Sequence, residues 1–300
     1  MSAQPQALPI ANAFSVDVED YFHVSAFSGR IDREEWEKWP CRVEASTETV
    51  LRLLAENGAS GTFFILGWIA ERYPGLVRRI AAEGHEIASH GYAHERVSTQ
   101  SPEAFRDDVR RTRSLLEDIS GTAVKGFRAA SFSMTEDTVW AFDILAEEGY
   151  RYSSSVYPIR HDHYGLPSWP RRPHKPRGDG GILEVPVATL RLFGRNLPCG
   201  GGGYFRLSPS YRISRWALRE ANRRDAGPSV VYFHPWEVDT GQPRVPDLPL
   251  AARLRHYTNL DRMESRLRRL LRDFRWDRMD NLFLETAASA HPDGPCGKLG

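Results

Sequence analysis

Residues 61–94, GTFFILGWIAERYPGLVRRIAAEGHEIASHGYAH, decide the fold. Residues 61–66 are a continuous apolar run of strand-favouring side chains. It is too short to cross a bilayer and suits a strand buried on both faces. Pro74 then stands at the start of a helical pattern that places Leu76, Val77 and Ile80 on one face, and Gly84 stops it. A second apolar run, residues 85–89, follows at once. Strand, helix and strand in that order form a crossover unit whose two strands are parallel.

The alternation continues on both sides. Further strands are expected at residues 11–18, 124–129, 151–156, 182–187 and 229–234, which brings the number to seven. Amphipathic stretches with helix start and stop signals lie between most of them. Ser46-Thr47 and Asn57-Gly58 bracket one, Ser101-Pro102 and Gly121 a second, and Thr135 and Gly149 a third. Helices are also expected at about 211–224 and 259–274. The fold class is therefore α/β. A distorted (β/α) barrel of about seven parallel strands is expected, with an open doubly wound sheet as the competing arrangement. Residues 158–181, rich in Pro, Arg and His, and residues 242–249 read as surface loops. A single domain is expected over 13–285, including a C-terminal helical extension. It lies between a flexible N-terminus at 1–12 and a loose tail at 286–300.

Composition narrows the class. At 41% hydrophobic residues the chain can bury a sizeable core. A net charge of +1 gives no general attraction to nucleic acid, and no nucleic-acid partner is expected. Cys41, Cys199 and Cys296 are odd in number and far apart, so they read as reduced thiols rather than a disulfide framework or a metal motif. Met1 to Phe14 shows no basic stretch followed by an apolar one, and no apolar run is long enough to span a membrane. A cytoplasmic protein without stable membrane insertion is expected. The pattern leaves the oligomeric state unknown.

Chemistry concentrates at the ends of the expected strands. Alternate residues of a strand share a face, so Ser15, Asp17 and Glu19 point one way. In a barrel, the C-terminal end of such a strand opens on the active-site face. Asp20 has the other parity unless the strand has already ended. His90 and His94 stand four apart, a spacing that shares one face of a helical turn. With Glu19 or Asp20 they make the ligand set of a hydrolytic metal site that keeps a coordination position open. His85 reads as a structural neighbour rather than a ligand. Arg128, at the end of the fourth strand, can hold a carboxylate with its fork. His234 closes the last apolar strand in a position suited to a general acid. Glu184, in the sixth strand, could orient a histidine or an arginine. The run Gly200 to Gly203 lacks the spacing of a phosphate loop. With Tyr204 and Phe205 beside it, it suits a wall on which a sugar ring stacks, and Tyr92 and Trp236 are further expected substrate contacts.

These segments, in this order, resemble the polysaccharide deacetylases with a NodB-homology domain (carbohydrate esterase family four). They most resemble the branch associated with exopolysaccharide and exosortase (PEP-CTERM) gene clusters. The residues that carry the resemblance are SVDVEDYF (15–22), GHEIASHGYAH (84–94), GFRA (126–129), EVPV (184–187), GGGYFR (201–206) and YFHPWE (232–237). It therefore covers nearly the whole chain. The resemblance implies a distorted barrel, a divalent metal with zinc expected, and an N-acetylated saccharide as substrate. It implies Asp17 as catalytic base, His90 and His94 as the metal-binding pair, His234 as catalytic acid and Arg128 as the residue that positions the base. Two features depart from it. Many members carry two adjacent aspartates followed by glycine, whereas here the acids are Asp17, Glu19 and Asp20; the Asp-x-Asp spacing of some relatives favours Glu19 as the ligand. The proline expected two residues after Arg128 is Ala130. The expected function is metal-dependent removal of N-acetyl groups from amino sugars of a polysaccharide or its precursor, in exopolysaccharide biosynthesis. The alternatives are a carbohydrate-binding protein with a degenerate catalytic site and a deacylase of a small amide.

Overall fold

The structure is a computed structural model that describes residues 10–27, 29–161 and 164–285. Cys296 and the expected tail at 286–300 lie outside the described residues, as does the expected flexible start up to residue 9.

The central sheet is parallel throughout. Strands β1 (Ala11–Val18), β2 (Thr62–Ile65), β3 (Glu86–Ser89), β4 (Gly126–Phe127), β5 (Tyr152–Ser153) and β6 (Leu183–Glu184) pair in sequence order. A hairpin follows, β7 (Thr189–Leu192) and β8 (Arg195–Pro198), which forms its own antiparallel sheet. Strand β9 (Val230–Phe233) then returns to β1, with Ala13–Val16 opposite Val230–Phe233. Strand β10 (Arg275–Asp277) pairs with Ala11–Ala13 on the opposite edge of β1, below the stretch that pairs with β2. The seven expected strands are all present, most of them shorter than their apolar runs, and they curl into a half-barrel. Among the described residues no ladder joins β6 to β9. Single hydrogen bonds bridge the gap, Ala188 N to Val230 O at 3.0 Å and Tyr232 N to Gly200 O at 2.8 Å.

Helices α1 (Val43–Glu56), α2 (Gly67–Arg72), α3 (Pro74–Ala82), α4 (Pro102–Ser120) and α5 (Trp140–Glu147) cover the outside of the sheet. Helices α6 (Gly202–Leu207), α7 (Tyr211–Asp225), α8 (Leu250–Tyr257) and α9 (Leu260–Asp273) come from the second half of the chain. The start signals act as expected in α4, where the Ser101 hydroxyl accepts from Ala104 N at 3.2 Å. Gly121, with φ +68°, ends that helix in the left-handed conformation that glycine adopts cheaply.

Strand parity sorts the side chains. Phe14, Val16 and Val18 of β1 join Phe63, Ile65 and Ile87 in the main core, together with Leu51 and Leu54 of α1. Ala13, Phe64, Ala88, Tyr152, Val185 and Val230 form a second cluster with Met279 and Phe283, which belong to the C-terminal segment. Above Ala13, the next residues of the same parity on β1 are Ser15 and Asp17. One face of the strand thus changes from apolar to polar toward its C-terminal end.

One expectation about the elements needs correction. Residues 11 and 12 are not a flexible lead-in. Ala11 begins β1, and Asn12 is fully buried, its Oδ1 accepting from Asn222 Nδ2 at 2.7 Å and Ser229 N at 2.9 Å. Strand β10 and the β7–β8 hairpin add to the seven expected strands; β7 (TLRL) continues the apolar run of the sixth strand, and β8 (RNLP) and β10 (RWD) are too short and polar to stand out in the sequence.

Candidate active site

Asp17 and Arg128 meet under the mouth of the half-barrel. Asp17 ends the inward series of β1, and Arg128 leaves β4 two strands away from β2. Arg128 Nη1 donates to Asp17 Oδ1 at 2.6 Å and to Ser15 Oγ at 2.8 Å. Its Nε and Nη2 donate to Ser154 O at 3.0 Å and Ser154 Oγ at 2.9 Å, and its guanidinium lies 4.0 Å from the centre of the Phe64 ring. Arg128 is fully buried. A buried cation held on three sides fixes its carboxylate partner in one orientation. Glu184 serves this pair indirectly. Among the described residues its carboxylate makes no ion pair with a histidine or arginine, although the charge of Arg128 acts on it. Its Oε1 instead accepts from Ser155 N at 3.0 Å and Val156 N at 2.9 Å, which secures the segment that presents Ser154. Burial pushes the Glu184 carboxyl up to about 7.

His90, His94 and Glu19 converge beside that pair. Glu19 Oε1 lies 2.9 Å from His90 Nε2 and 3.0 Å from His94 Nε2. The histidines do not share a helical turn, as their spacing suggested. The chain from β3 turns through Gly91, with φ +73°, and reaches His94 at φ +50°. Asp108 of α4 pins this loop by accepting from Tyr92 N at 2.6 Å, and Gly67 N donates to Gly91 O at 2.9 Å. His90 Nδ1 is 2.8 Å from Arg128 O, so it is the donor there, which turns Nε2 toward Glu19. Burial would raise the Glu19 carboxyl. The charge of His94 and the hydrogen bonds from His90 and His94 nevertheless hold it well below the usual carboxylate range. Burial disfavours charge on His90, but the bond to Glu19 and the charges of Asp17 and Glu19 outweigh it and raise its pKa.

The donor set fits a divalent metal. Two imidazole nitrogens and one carboxylate oxygen lie within 4.8 Å of one another and are buried, and the outer nitrogen of His90 is fixed by a backbone carbonyl, as metal-ligating histidines usually are. Asp20 is engaged elsewhere. It caps the following turn by accepting from Tyr21 N at 2.8 Å, and it also accepts from Val43 N at 2.8 Å and from Arg42 N. Of the two acids, Glu19 is therefore the one that faces the histidines. His85 is remote from them, where its Nδ1 accepts from Gly61 N at 3.3 Å and its ring packs on Phe63.

His234 faces this group from the end of β9. Its Nε2 lies 4.0 Å from Glu19 Oε1, and its Nδ1 lies 2.9 Å from Glu237 Oε1. Burial works against a charged ring, but the bond to Glu237 and the charges of Glu19, Glu237 and Asp17 push its pKa up to about 9. Glu237 is itself buried and has Arg206 Nε 3.5 Å from its second oxygen. The glycine run explains how α6 comes so close. A Cβ at Gly202 would overlap the Glu237 carboxylate, and one at Gly201 would press on the Tyr232 ring at 3.0 Å.

Asp17, Glu19, His94 and His234 line one cleft with Phe132, Tyr164, Tyr232 and Trp236. Ser131 and Phe132 both have positive φ, +53° and +49°, in the loop where Ala130 replaces the expected proline. The expected aromatic contacts fare unevenly. Trp236 lines the cleft, but its ring stacks on the imidazoles of His234 and His256, which leaves little free face for a sugar. Phe205 is buried against Phe233, and Tyr204 is partly buried beside it. Tyr92 directs its hydroxyl to Glu71 and lies under the guanidinium of Arg111 at 3.7 Å. Neither Tyr92, Tyr204 nor Phe205 lines the cleft. Ser15, Ser154, Arg206 and Glu237 do structural work at the site that sequence reasoning did not assign. Strand parity signals Ser15 beside Asp17, and the His234-x-x-Glu237 spacing brings two side chains together on a single turn.

Comparison with known proteins divides the chain. Residues 36–153 match the family model for polysaccharide deacetylase, and residues 154–284 match that of a domain of unknown function, DUF3473. The peptidoglycan-N-acetylglucosamine deacetylase of Bacillus cereus is 33% identical over 32% of this chain and 35% of its own length. A chitooligosaccharide deacetylase of Rhizobium leguminosarum bv. trifolii is 37% identical over 23% of this chain and 33% of its own length. The matched part thus spans about a third of these curated relatives. A solved structure of a polysaccharide deacetylase from Mycobacterium smegmatis superposes with a TM-score of 0.60 at 23% identity, covering 100% of this chain and 97% of that one. That likeness establishes the shared fold.

Proposed function

We propose that this chain, which carries a polysaccharide deacetylase domain of the NodB type, is a metal-dependent hydrolase that removes N-acetyl groups from amino sugars of a polysaccharide or its precursor. The observation that carries the reading is the meeting of Asp17, Glu19, His94 and His234 on one cleft. We take the metal to be zinc, held by His90, His94 and Glu19, on the strength of a set of two imidazoles and one carboxylate. The role in exopolysaccharide biosynthesis rests on the resemblance of the ordered motifs.

When bound, such an ion polarises a carbonyl and acidifies a water molecule. The protein's own groups supply the proton transfers. Asp17 has one oxygen occupied by Arg128, and its other oxygen accepts the proton of the attacking water. Arg128 holds that carboxylate still, with Ser15 and Ser154 fixing the guanidinium. His234 carries a proton at neutral pH and donates it from Nε2 to the departing amine. Glu237 holds the opposite ring nitrogen and so keeps the ring charged and directed. The carbonyl–nitrogen bond breaks, water supplies the new oxygen, and acetate and a free amino sugar leave.

The test is acetate release from a panel of N-acetylated oligosaccharides, lipid-linked sugars and small amides, with and without chelator, alongside metal analysis of the purified protein. Release from saccharides that chelator abolishes is the expected result. Bound metal without release from any saccharide would overturn it, and release from small amides alone would convert it to the smaller-substrate reading. Saccharide binding with neither metal nor release would mark a degenerate binding protein.

A further inference from the structure

The tip of the β7–β8 hairpin is the most exposed large apolar position among the described residues. Phe193 is 93% exposed, with φ +49°, and Gly194 follows at φ +74°. Two central residues with positive φ match the tight hairpin turn that favours Asn-Gly. Phenylalanine is a poor choice there on two counts. Its Cβ is strained in the left-handed region, and its ring buries nothing. The turn does not require it, and the core does not use it.

The hairpin holds Phe193 out rigidly. Asn196 Nδ2 donates to Pro158 O at 2.8 Å, and Arg224 Nη1 donates to Arg191 O at 2.8 Å, so both strands are tied to the body. The strand register opposes Arg191 to Asn196 and Leu192 to Arg195. Since facing residues share a side of the ribbon, Arg191 lies on one side and Arg195 on the other. Both are exposed, and among the described residues neither forms an ion pair. Leu197, 41% exposed, shares the side of Arg195. An aromatic ring stands at a convex tip with a cation on each flank. A small ligand needs a concavity, which a protruding tip does not offer. A ring that can sink past a layer of negative charges fits it in both shape and sign.

We propose that the β7–β8 hairpin docks this protein on an anionic lipid bilayer, with Phe193 inserted at the boundary between headgroups and acyl chains and Arg191 and Arg195 on the lipid phosphates. The mode is peripheral, and no helix among the described residues is long and apolar enough to cross a membrane. The inference does not depend on the catalytic reading, because the hairpin contributes no residue to the cleft.

The experiment is sedimentation of the full chain with vesicles of phosphatidylcholine alone and of phosphatidylcholine with phosphatidylglycerol, at low and high salt. Binding to the anionic vesicles, weakened by salt, is expected. Phe193→Asn should lower the partition coefficient by about tenfold or more, the loss of one buried aromatic side chain. Asn-Gly suits the turn, so the melting temperature should hold or rise, which separates lost docking from lost fold. Arg191→Gln with Arg195→Gln should lower partition by about thirtyfold, and Phe193→Trp should preserve it. Acetate release from a soluble substrate should be the same in all variants. Failure of the unaltered chain to bind anionic vesicles, equal binding to neutral ones, or undiminished binding by Phe193→Asn would overturn the proposal.

Discussion

Both ends of the half-barrel bury carboxylates, and the two ends use them differently. At the C-terminal end of the strands Asp17 and Glu19 are 2% and 3% exposed; at the N-terminal end Glu86 is 5% exposed. Glu86 is satisfied by protein alone. It accepts from Thr62 Oγ1 at 2.5 Å, Tyr152 Oη at 3.1 Å and Asp280 N at 3.1 Å, and Asp280 is in turn held by Arg278 at 2.8 Å and Lys125 at 3.0 Å. These bonds tie the start of β2 and β3 to the C-terminal segment beyond β10. At the other end, Asp17, Glu19 and His234 share the wall of a cleft and keep atoms directed into it. Burial is therefore not what separates a reactive carboxylate from a structural one. The difference lies in whether its polar atoms converge on space that a substrate can enter.

The sharpest way to break this comparison is to neutralise one carboxylate at the cleft. Asp17→Asn keeps the shape of the side chain and an oxygen for Arg128, but removes the proton acceptor. Acetate release should fall by about 10³-fold, within the range that positioned bases contribute. Metal content should be unchanged, because His90, His94 and Glu19 are untouched. Some stability should be lost as well, since Arg128 keeps its charge in a buried site. Turnover near that of the unaltered chain would mean that Asp17 is as structural as Glu86.

A smaller effect should follow from Glu237→Gln. Glu237 is buried like Glu86, but it touches His234, so its influence should be visible in the pH profile. His234 must be protonated to act as an acid, and its pKa of about 9 keeps it so through neutral pH. Removing the charge of Glu237 lowers that pKa and moves the alkaline limb of kcat/KM to lower pH. On that limb the protonated fraction falls about tenfold for every pH unit that the limb moves. An alkaline limb that stays in place while the overall rate drops would assign Glu237 to packing instead.

The sequence disclosed the two ends unequally. Strand parity is enough to put Ser15 and Asp17 on one face, and the spacing of apolar runs is enough to expect seven parallel strands. The identity of the histidine pair is legible, but its conformation is not. A turn through Gly91 and a left-handed His94 replaces the helical turn, because contacts from α2 and α4 set the loop. Asp20 and Glu19 cannot be separated in sequence, since the backbone donors that occupy Asp20 include Arg42 and Val43, more than twenty residues away. The aromatic wall is illegible because hydrophobic side chains next to glycines can pack inward as readily as outward, and Phe205 does so. Glu86 is concealed for the opposite reason: it sits within an apolar strand run, and its partners Thr62, Tyr152 and Asp280 come from three other segments.

The smallest expected effect belongs to Glu86, and it tests the structural side of the comparison. Burial and the nearby Asp280 raise its pKa to about 7, from the ordinary 4.5. Between those two values the folded protein retains a proton that the unfolded chain has released. Stability must therefore fall as pH rises through that window. Glu86→Gln cannot ionise and still offers groups to Thr62 and Tyr152, so it should flatten the slope, by no more than about 1.4 kcal/mol per pH unit. Denaturant unfolding at a series of pH values across the window measures the slope directly, and acetate release at a single pH supplies the contrast with Asp17→Asn. A buried acid that serves only the fold should change the first and leave the second alone. An unchanged slope would deny Glu86 its proton, while a lost activity in a stably folded variant would show that the two ends of the half-barrel are coupled rather than separate.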